Sequence, residues 1–417
     1  MLPPQAGVFY NTGRVGCHQV PTVFEELPIK LAKYRFDLAE ARDDDDLRAV
    51  LAATPVPGMI SVGFRREPSY FGAAVVDGRF RQVVVARDET AGRIVAFGAR
   101  SVSDRYVNGF PKPIGYLSNL RVLPEHRRGG LVGRGYALLR KLHEDRRTSL
   151  YLTTIAQDNL SAVQLLTAGR AGLPTYHLAG CYHTAVIGLR SGAAVPAAEP
   201  SRDGRTTRVQ GSRNGCTTEL RPAQNNDVPA ILEFLHTVGS RRQFFPCYER
   251  DDFFTGDGLL CGLRPEDLLL AWRGNRLVGT LAAWDQTAFR QIVVHAYKKP
   301  LCWLRPLYNC WTGLLGRPCL PRPGSPLRCL MGALPMTCDD DPEVLRTLLD
   351  TLIRQRSGRD WDHLLIGVHE SDPLLPVLRE YRAGCYTTQV YLACWEDGEE
   401  LRGSIDGRPW YLELGSL

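Results

Sequence analysis

The sequence predicts an α+β protein made of two tandem copies of one fold, each a mixed, mostly antiparallel sheet flanked by helices. Three observations lead there. The chain has 417 residues, more than one ordinary core accommodates. The same order of strand, capped helix and hairpin occurs on both sides of a Gly-, Pro-, Ser- and Arg-rich stretch at 190–215, "RSGAAVPAAEPSRDGRTTRVQGSRNG" starting at Arg190. Within each copy a hairpin pattern stands beside helical stripes, so helices and strands share one core.

Residues 1–35 read as an extension. The first copy, 36–189, opens with "LAEARDDDDLRAVLA" from Leu38, a short strand, an aspartate cap and a helix with Leu47, Val50 and Leu51 on its core stripe. "QVVVARDETAGRIVAFGARSV" from Gln82 is a hairpin turning at Gly92. "SLYLTTIAQDNLSAVQLL" from Ser149 is an apolar strand after which Asn159 opens another helix. Residues 190–215 read as a linker. The second copy, 216–396, repeats the series: "LRPAQNNDVPAILEFL" from Leu220, with Val228, Ile231 and Leu232 inward, then "DLLLAWRGNRLVGTLAAW" from Asp267, turning at Gly274. "HLLIGVHESDPLLPVL" from His363 follows, with Asp372 at the helix start. An insertion at 287–326, rich in Tyr, Trp, Arg, Cys and Pro, reads as a helical cap or as an interface for a partner or acyl chain. Residues 397–417 read as a C-terminal tail.

Composition limits the function classes. Hydrophobic residues make up 44% and charged residues 23%, the balance of a globular protein. A net charge of +6 suits anionic ligands without calling for nucleic acid, which is not an expected partner. Met1 to Val15 lacks the basic and apolar regions of a signal peptide, and no apolar run approaches the roughly 20 residues that span a bilayer. A soluble, cytoplasmic protein is expected. Twelve cysteines are scattered without a CxxC pair, so free, mostly buried thiols and no metal are expected.

The stretch "LRVLPEHRRGGLVGRGYALLRKL", Leu120 to Leu142, carries the chemistry. Pro124 must end the strand, because it offers no ladder hydrogen bond. From Leu131 the positions Leu131, Leu138 and Leu142 form a helical stripe. Between them Gly129 and Gly130 let a ligand approach the backbone, and the first amides of the helix point outward with the positive end of the dipole. Arg127, Arg128 and Arg134 add positive charge around that opening. The corner is a cradle for a phosphate or diphosphate, although glycine-rich corners also arise for packing alone. It is neither a P-loop nor a dinucleotide fingerprint.

These residues resemble the GNAT superfamily of N-acetyltransferases, whose central motif is a strand, a V-x-P-x-x-R step, an R/Q-x-x-G-x-G/A loop and a helix. Pro124, Arg127 and Gly130 match it; Val132 takes the last small position, with Gly133 one residue late. The family's next motif, Asn-x-x-Ala, matches Asn159 to Ala162. The resemblance covers Phe36 to about Leu189 well and Glu219 to about Trp395 more faintly. It implies that acetyl-CoA or another acyl-CoA lies where two strands splay apart. Backbone groups of Leu120, Arg121 and Val122 would hold the pantetheine arm. Amides from Arg127 through Arg128, Gly129, Gly130, Leu131 and Val132 to Gly133 would hold the diphosphate, and Asn159 would contact the cofactor. An amine of a small molecule or peptide would then attack the thioester directly. Many relatives carry a carboxylate about eleven residues before the loop arginine and a tyrosine seven after the motif's asparagine; here those places hold Tyr116 and Leu166. Tyr116 and Ser118 share a strand face and are the candidate proton carriers.

The corresponding corner of the second copy, "ALPMTCDDDPEVLRTLLDTL" from Ala333, has no glycine, and Asp339, Asp340 and Asp341 stand where its helix begins. They are expected to cap that helix and repel a diphosphate, leaving the second copy to support the first or wall the acceptor site. His369, Glu370 and Asp372 could face a cationic acceptor there, Asp372 alternatively serving as a cap. An inactive acyl-CoA sensor or scaffold, and a Fem-type aminoacyl transferase using charged tRNA, are the competing readings.

Overall fold

The computed structural model describes residues 29–31, 33–127, 129–169, 172–189, 207–210, 217–314, 319–358, 360–381 and 384–417. In the first half these form strands β1 (Ile29–Leu31), β2 (Tyr34–Leu38), β3 (Ile60–Arg65), β4 (Phe80–Asp88), β5 (Arg93–Val107), β6 (Phe110–Val122), β7 (Leu150–Ala156) and β8 (Thr175–Gly188). The helices there are α1 (Asp44–Ala53), α2 (Tyr70–Ala73), α3 (Leu131–His143) and α4 (Leu160–Leu166). The second half contributes β9 (Thr207–Gln210), β10 (Thr217–Pro222), β11 (Leu268–Arg273), β12 (Arg276–Trp284), β13 (Gln291–Tyr297), β14 (Cys329–Thr337), β15 (His363–His369) and β16 (Gly384–Cys394). Its helices are α5 (Val228–Gly239), α6 (Lys299–Leu314), α7 (Pro342–Arg356), α8 (Leu375–Glu380) and α9 (Glu399–Gly403).

Each half starts its first long helix with the same locked turn. Glu40 and Asp43 cap one another before α1, as Gln224 and Asp227 do before α5. Arg87 grips Asp43 through two bonds of 2.7 Å, and Arg221 grips Asp227 at 2.7 and 2.8 Å. Such two-pronged pairs fix direction as well as charge. The hairpins β4–β5 and β11–β12 turn at Gly92 and Gly274, whose φ of 66° and 58° suit glycine. Leu47, Val50 and Leu51 of α1 are buried as predicted; on α5 the inward stripe is Val228, Ile231, Leu235 and Val238, with Leu232 only half-buried.

The strands do not form two separate sheets, as the copies had suggested, but one of fourteen. The order β2-β4-β5-β6-β7 on one side mirrors β10-β11-β12-β14-β15 on the other. The ladders β6–β7 and β14–β15 are parallel and all the others antiparallel. At the centre the halves exchange their last strands. β16 lies on β7, from Thr388 beside Ala156 to Cys394 beside Leu150, while β8 lies on β15, from His363 beside Gly188 to His369 beside Tyr182. β8 and β16 also pair with each other. The exchange covers edges that each half alone would expose.

Three expected boundary segments carry structure. Within the extension, Ile29–Leu31 pairs with β2; within the linker, Thr207–Gln210 pairs with β10. Residues 1–28, 190–206 and 211–216 lie outside the described residues. The stretch expected as a tail is packed inside, with Tyr411, Leu412 and Glu413 buried and Tyr411 N donating to Gln243 O at 2.9 Å. In the insertion, β13 forms a separate two-stranded sheet with β3, pairing Gln291 with Arg65 and Tyr297 with Ile60. No helix among the described residues is long and apolar enough to cross a membrane. Ten described cysteines are free; only Cys329 and Cys394 are buried, so the expectation of mostly buried thiols fails.

Candidate functional site

The parallel pair β6–β7 stays in register only at Gly115–Tyr151 and Tyr116–Leu152. A Cβ at Gly115 would lie 2.2 Å from the Tyr151 ring, so glycine is what lets the strands meet there. Past that point β6 bulges. Ala99 faces Ser118 and Phe97 faces Arg121, which leaves one extra residue on β6, and Asn119 takes up a left-handed φ of 53°. From Leu117 onward β6 has no ladder with β7, and a cavity of about 430 Å³ fills the gap. Tyr116, Ser118, Leu120, Arg121, Val122, Leu131, Val132 and Asn159 all line it.

At the cavity mouth the chain leaves β6 through Pro124 and a short turn, whose His126 Nδ1 meets Tyr34 OH at 2.9 Å. Gly130 then adopts φ 65° and ψ 17°, a left-handed entry to α3 with no side-chain cap. Cβ atoms at Gly130 or Gly133 would meet nothing within 4 Å, so the surface above them is open. Among the described residues, the amides of Gly130, Leu131, Val132 and Gly133 make no hydrogen bond outside the helix. Arg127 is exposed, its Nε 3.4 Å from Val122 O; the Nη1 of Arg134 is buried without a partner. Arg128 lies outside the described residues. The side chain of Leu131 is buried in the core under α3, so what it offers the corner is its amide. Asn159 does what its position asks of a cap, its Oδ1 accepting from Ala162 N at 3.4 Å and Ser161 Oγ at 3.1 Å. Only its amide nitrogen is left to face the cavity.

The interior holds neutral phenols and guanidinium groups, and among the described residues no Asp or Glu side chain lines it. Tyr116 is buried and bonds Thr154 Oγ1 at 2.8 Å. Burial pushes its phenol up to about 12. Tyr136 on α3 and Tyr176 on β8 join hydroxyl to hydroxyl beside it, and burial raises both, Tyr136 to about 12. Arg66 and Arg290 converge on Asp77. Arg66 holds it at 2.8 and 3.1 Å, and Arg290 binds Asp77 as well as Gly415 O. Two guanidinium groups thus share one carboxylate. Arg121 adds a third cation; burial first, and the Arg66 charge with it, lower its affinity for a proton. Its Nε and that of Arg290 are buried without partners. Sequence reasoning missed Tyr136, Tyr176, Arg66, Asp77 and Arg290. They come from five separate segments, and no linear spacing links them.

The second half supplies the facing wall through Arg290 and Gln291, Met331 of β14, Leu365 of β15, and Tyr386 and Thr388 of β16. Its own glycine-free corner is closed. Asp341 caps α7, accepting from Glu343 N at 3.0 Å and Val344 N at 3.3 Å. Each aspartate there has an arginine: Asp339 with Arg241 at 2.9 Å, Asp340 with Arg242, and Asp341 with Arg273 at 2.9 Å. The corner is therefore filled, Asp341 capping α7 as expected and the arginines adding counter-charge that the sequence did not disclose. His369 and Asp372 are buried too, His369 bonding Ala179 O at 2.9 Å and Asp372 accepting from Leu374 N at 2.8 Å, so neither faces an acceptor. One trio brings together possible metal ligands that the sequence keeps apart, His177, Cys394 and Glu399, within 4.8 Å. Glu399 is already held there by His177 at 3.0 Å and Arg402 at 2.6 Å.

No family model matches the sequence, and no curated protein matches it. Solved structures do match its shape. Saccharomyces cerevisiae N-myristoyltransferase with bound myristoyl-CoA aligns in two crystal structures, each at 12% identity, with TM-scores of 0.54 and 0.55. The alignments cover 89% and 91% of this chain and 81% and 87% of that enzyme. The GCN5-related glucosamine N-acetyltransferase region of a fungal multi-domain GH3 β-N-acetylglucosaminidase aligns at 13% identity and a TM-score of 0.54, over 88% of this chain and 38% of that one. At such identities the likeness is one of fold, and the chain has a GNAT-like fold.

Proposed function

We propose that the protein is an acyl-CoA-dependent N-acyltransferase, with acetyl-CoA as the first cosubstrate to test. The observation that carries this is the open corner at Gly130–Gly133 at the mouth of a cavity between splayed strands. Unengaged helix amides suit a diphosphate, and the edge of β6 at Leu120, Arg121 and Val122 that faces away from β5 and has no ladder with β7 suits a pantetheine arm. Arg127 and Arg128 would add charge at the diphosphate. Saccharomyces cerevisiae N-myristoyltransferase, which shares this fold, was solved with an acyl-CoA bound.

In this reading 36–189 and 216–396 are tandem copies. The mirrored strand order and the twin locked turns at Asp43 and Asp227 support it. The second copy, its corner closed by Asp341, walls the site and leaves the cofactor to the first.

The chemistry follows from what lines the cavity. An ammonium entering among Arg66, Arg121 and Arg290 is destabilised by like charge, so the field itself favours the neutral amine that must attack the thioester. The same cations favour an acceptor that also carries an anionic group. Tyr116, neutral at physiological pH, then donates its proton to the leaving thiolate and regains one, relayed through Thr154, from the nitrogen that has added to the thioester, with Ser118 beside it on the strand. A thiol-release assay with acetyl-CoA and longer acyl-CoAs, run over amines with and without a carboxylate or phosphate, tests this. Turnover confined to amines without an anionic group removes the acceptor proposal. That no Asp or Glu side chain among the described residues lines the cavity favours a second reading, a non-catalytic acyl-CoA sensor. CoA binding without thiol release on any amine would select it.

A further inference from the structure

Helix α6 is amphipathic the wrong way round for a surface helix. Toward the protein it presents polar groups. Arg305 donates to Pro321 O at 3.2 Å, Asn309 exchanges bonds of 3.0 and 2.8 Å with Leu320, and Thr312 is buried. Outward it shows Trp303, Leu307, Trp311 and Leu314, which are 80%, 71%, 56% and 86% exposed, with Leu304 and Tyr308 beside them. At 100° per residue these six fall on one continuous stripe. Elsewhere large exposed apolar residues are scattered, as on any surface.

The segment that carries the stripe has charge of one sign. Between Asp285 and Cys338 the sequence contains no aspartate or glutamate but has seven lysines and arginines. Lys298, Lys299 and Arg322 are exposed, and among the described residues none has an ion-pair or hydrogen-bonding side-chain partner. Lys298 and Lys299 stand at the helix N-terminus, where the dipole disfavours cations. Helix stability does not account for that placement; an external anion does.

We propose that α6 docks the protein on an anionic lipid surface. The helix would lie flat, its Trp, Tyr and Leu side chains in the interfacial layer and its lysines over the headgroups. Aromatic rings with an apolar body and a polar edge suit that layer. The stripe is a convex helix face, with the shape of an element that enters a layer. Since α6 follows β13 directly, and Gln291 of β13 lines the cavity, docking would set the cavity rim near the membrane plane.

The test uses the full chain with vesicles of phosphatidylcholine alone or with 30 mol% phosphatidylglycerol, read by co-sedimentation. Binding is expected on the anionic vesicles, weakened at least tenfold by high salt or by Lys298→Glu with Lys299→Glu. Trp303→Ser with Leu307→Ser should weaken it at least tenfold while leaving the melting temperature and CoA binding unchanged, since both side chains are exposed. No binding to anionic vesicles, or binding that the apolar substitutions leave intact, overturns the proposal. So does a dimer in light scattering that Trp303→Ser with Leu307→Ser dissociates, because the stripe would then belong to a second copy.

Discussion

Gly133→Asp separates a binding corner from a merely structural one, because the two roles predict opposite signs. Gly133 is the third residue of α3, exposed, with nothing within 4 Å of where its Cβ would stand. An aspartate there gains a few tenths of a kcal/mol of helix propensity over glycine and about 0.3–1 kcal/mol from the helix dipole. The protein should therefore melt at an equal or higher temperature. For a diphosphate on the Gly130–Gly133 amides, the new carboxylate is a like charge at about 4 Å. Each such pair costs about 1 kcal/mol in water and about 4 kcal/mol at a near-surface dielectric. The position is open to solvent, so the lower figure applies; two phosphate charges then give about 2 kcal/mol, roughly a thirtyfold loss of affinity before salt screening. Calorimetric titration with CoA, beside a thermal melt, reads both quantities. Gly133→Ala is the control and should be stabilised while CoA binding is retained. Unchanged CoA affinity in Gly133→Asp, or an equal loss in Gly133→Ala, refutes the assignment of the corner.

Four further outcomes follow from the same geometry. Tyr116→Phe should lower kcat by about a hundredfold or more while leaving CoA affinity near wild type, measured by thiol release and titration. The burial that raises Tyr70, Tyr116 and Tyr136 to about 12 has a consequence for stability. Their neutral form is favoured by folding, so its contribution is whole below pH 10 and is lost as pH climbs from 10 through 12; melts over that range should show it. Asp77→Asn leaves Arg66 and Arg290 buried without a counter-charge and should cost about 3–5 kcal/mol in urea unfolding. Asp341→Ala removes the cap of α7 and should cost about 1 kcal/mol in the same assay, with CoA affinity unchanged.

What the sequence disclosed was local. The hairpins at Gly92 and Gly274, the helices after Asp43 and Asp227, and the corner at Gly130 are each written in a run of adjacent residues, where turn chemistry and apolar period act directly. The glycine corner could be read because a left-handed entry to a helix is a backbone feature of a few consecutive positions. The cavity behind it could not, since Tyr136, Tyr176, Arg66 and Arg290 meet only after the sheet is assembled. The strand exchange was hidden for the same reason. β8 and β16 have patterns that fit either neighbour, and only the whole sheet decides that β16 sits on β7.

That exchange also explains why a half with a closed corner keeps its fold. β16 is the only strand on the open side of β7, and its Tyr386 and Thr388 line the cavity that β6 and β7 open. Arg290, from the second half, shares Asp77 with Arg66 of the first. Removing the second half would thus strip the first of its sheet neighbour, of a cavity wall and of one of the two cations on Asp77. The second half holds its own helix end without a bound anion, because Asp341 and Arg273 supply a cap and a counter-charge. Its contribution to sheet and cavity is not replaceable by any residue of the first half, and that dependence holds the pair together.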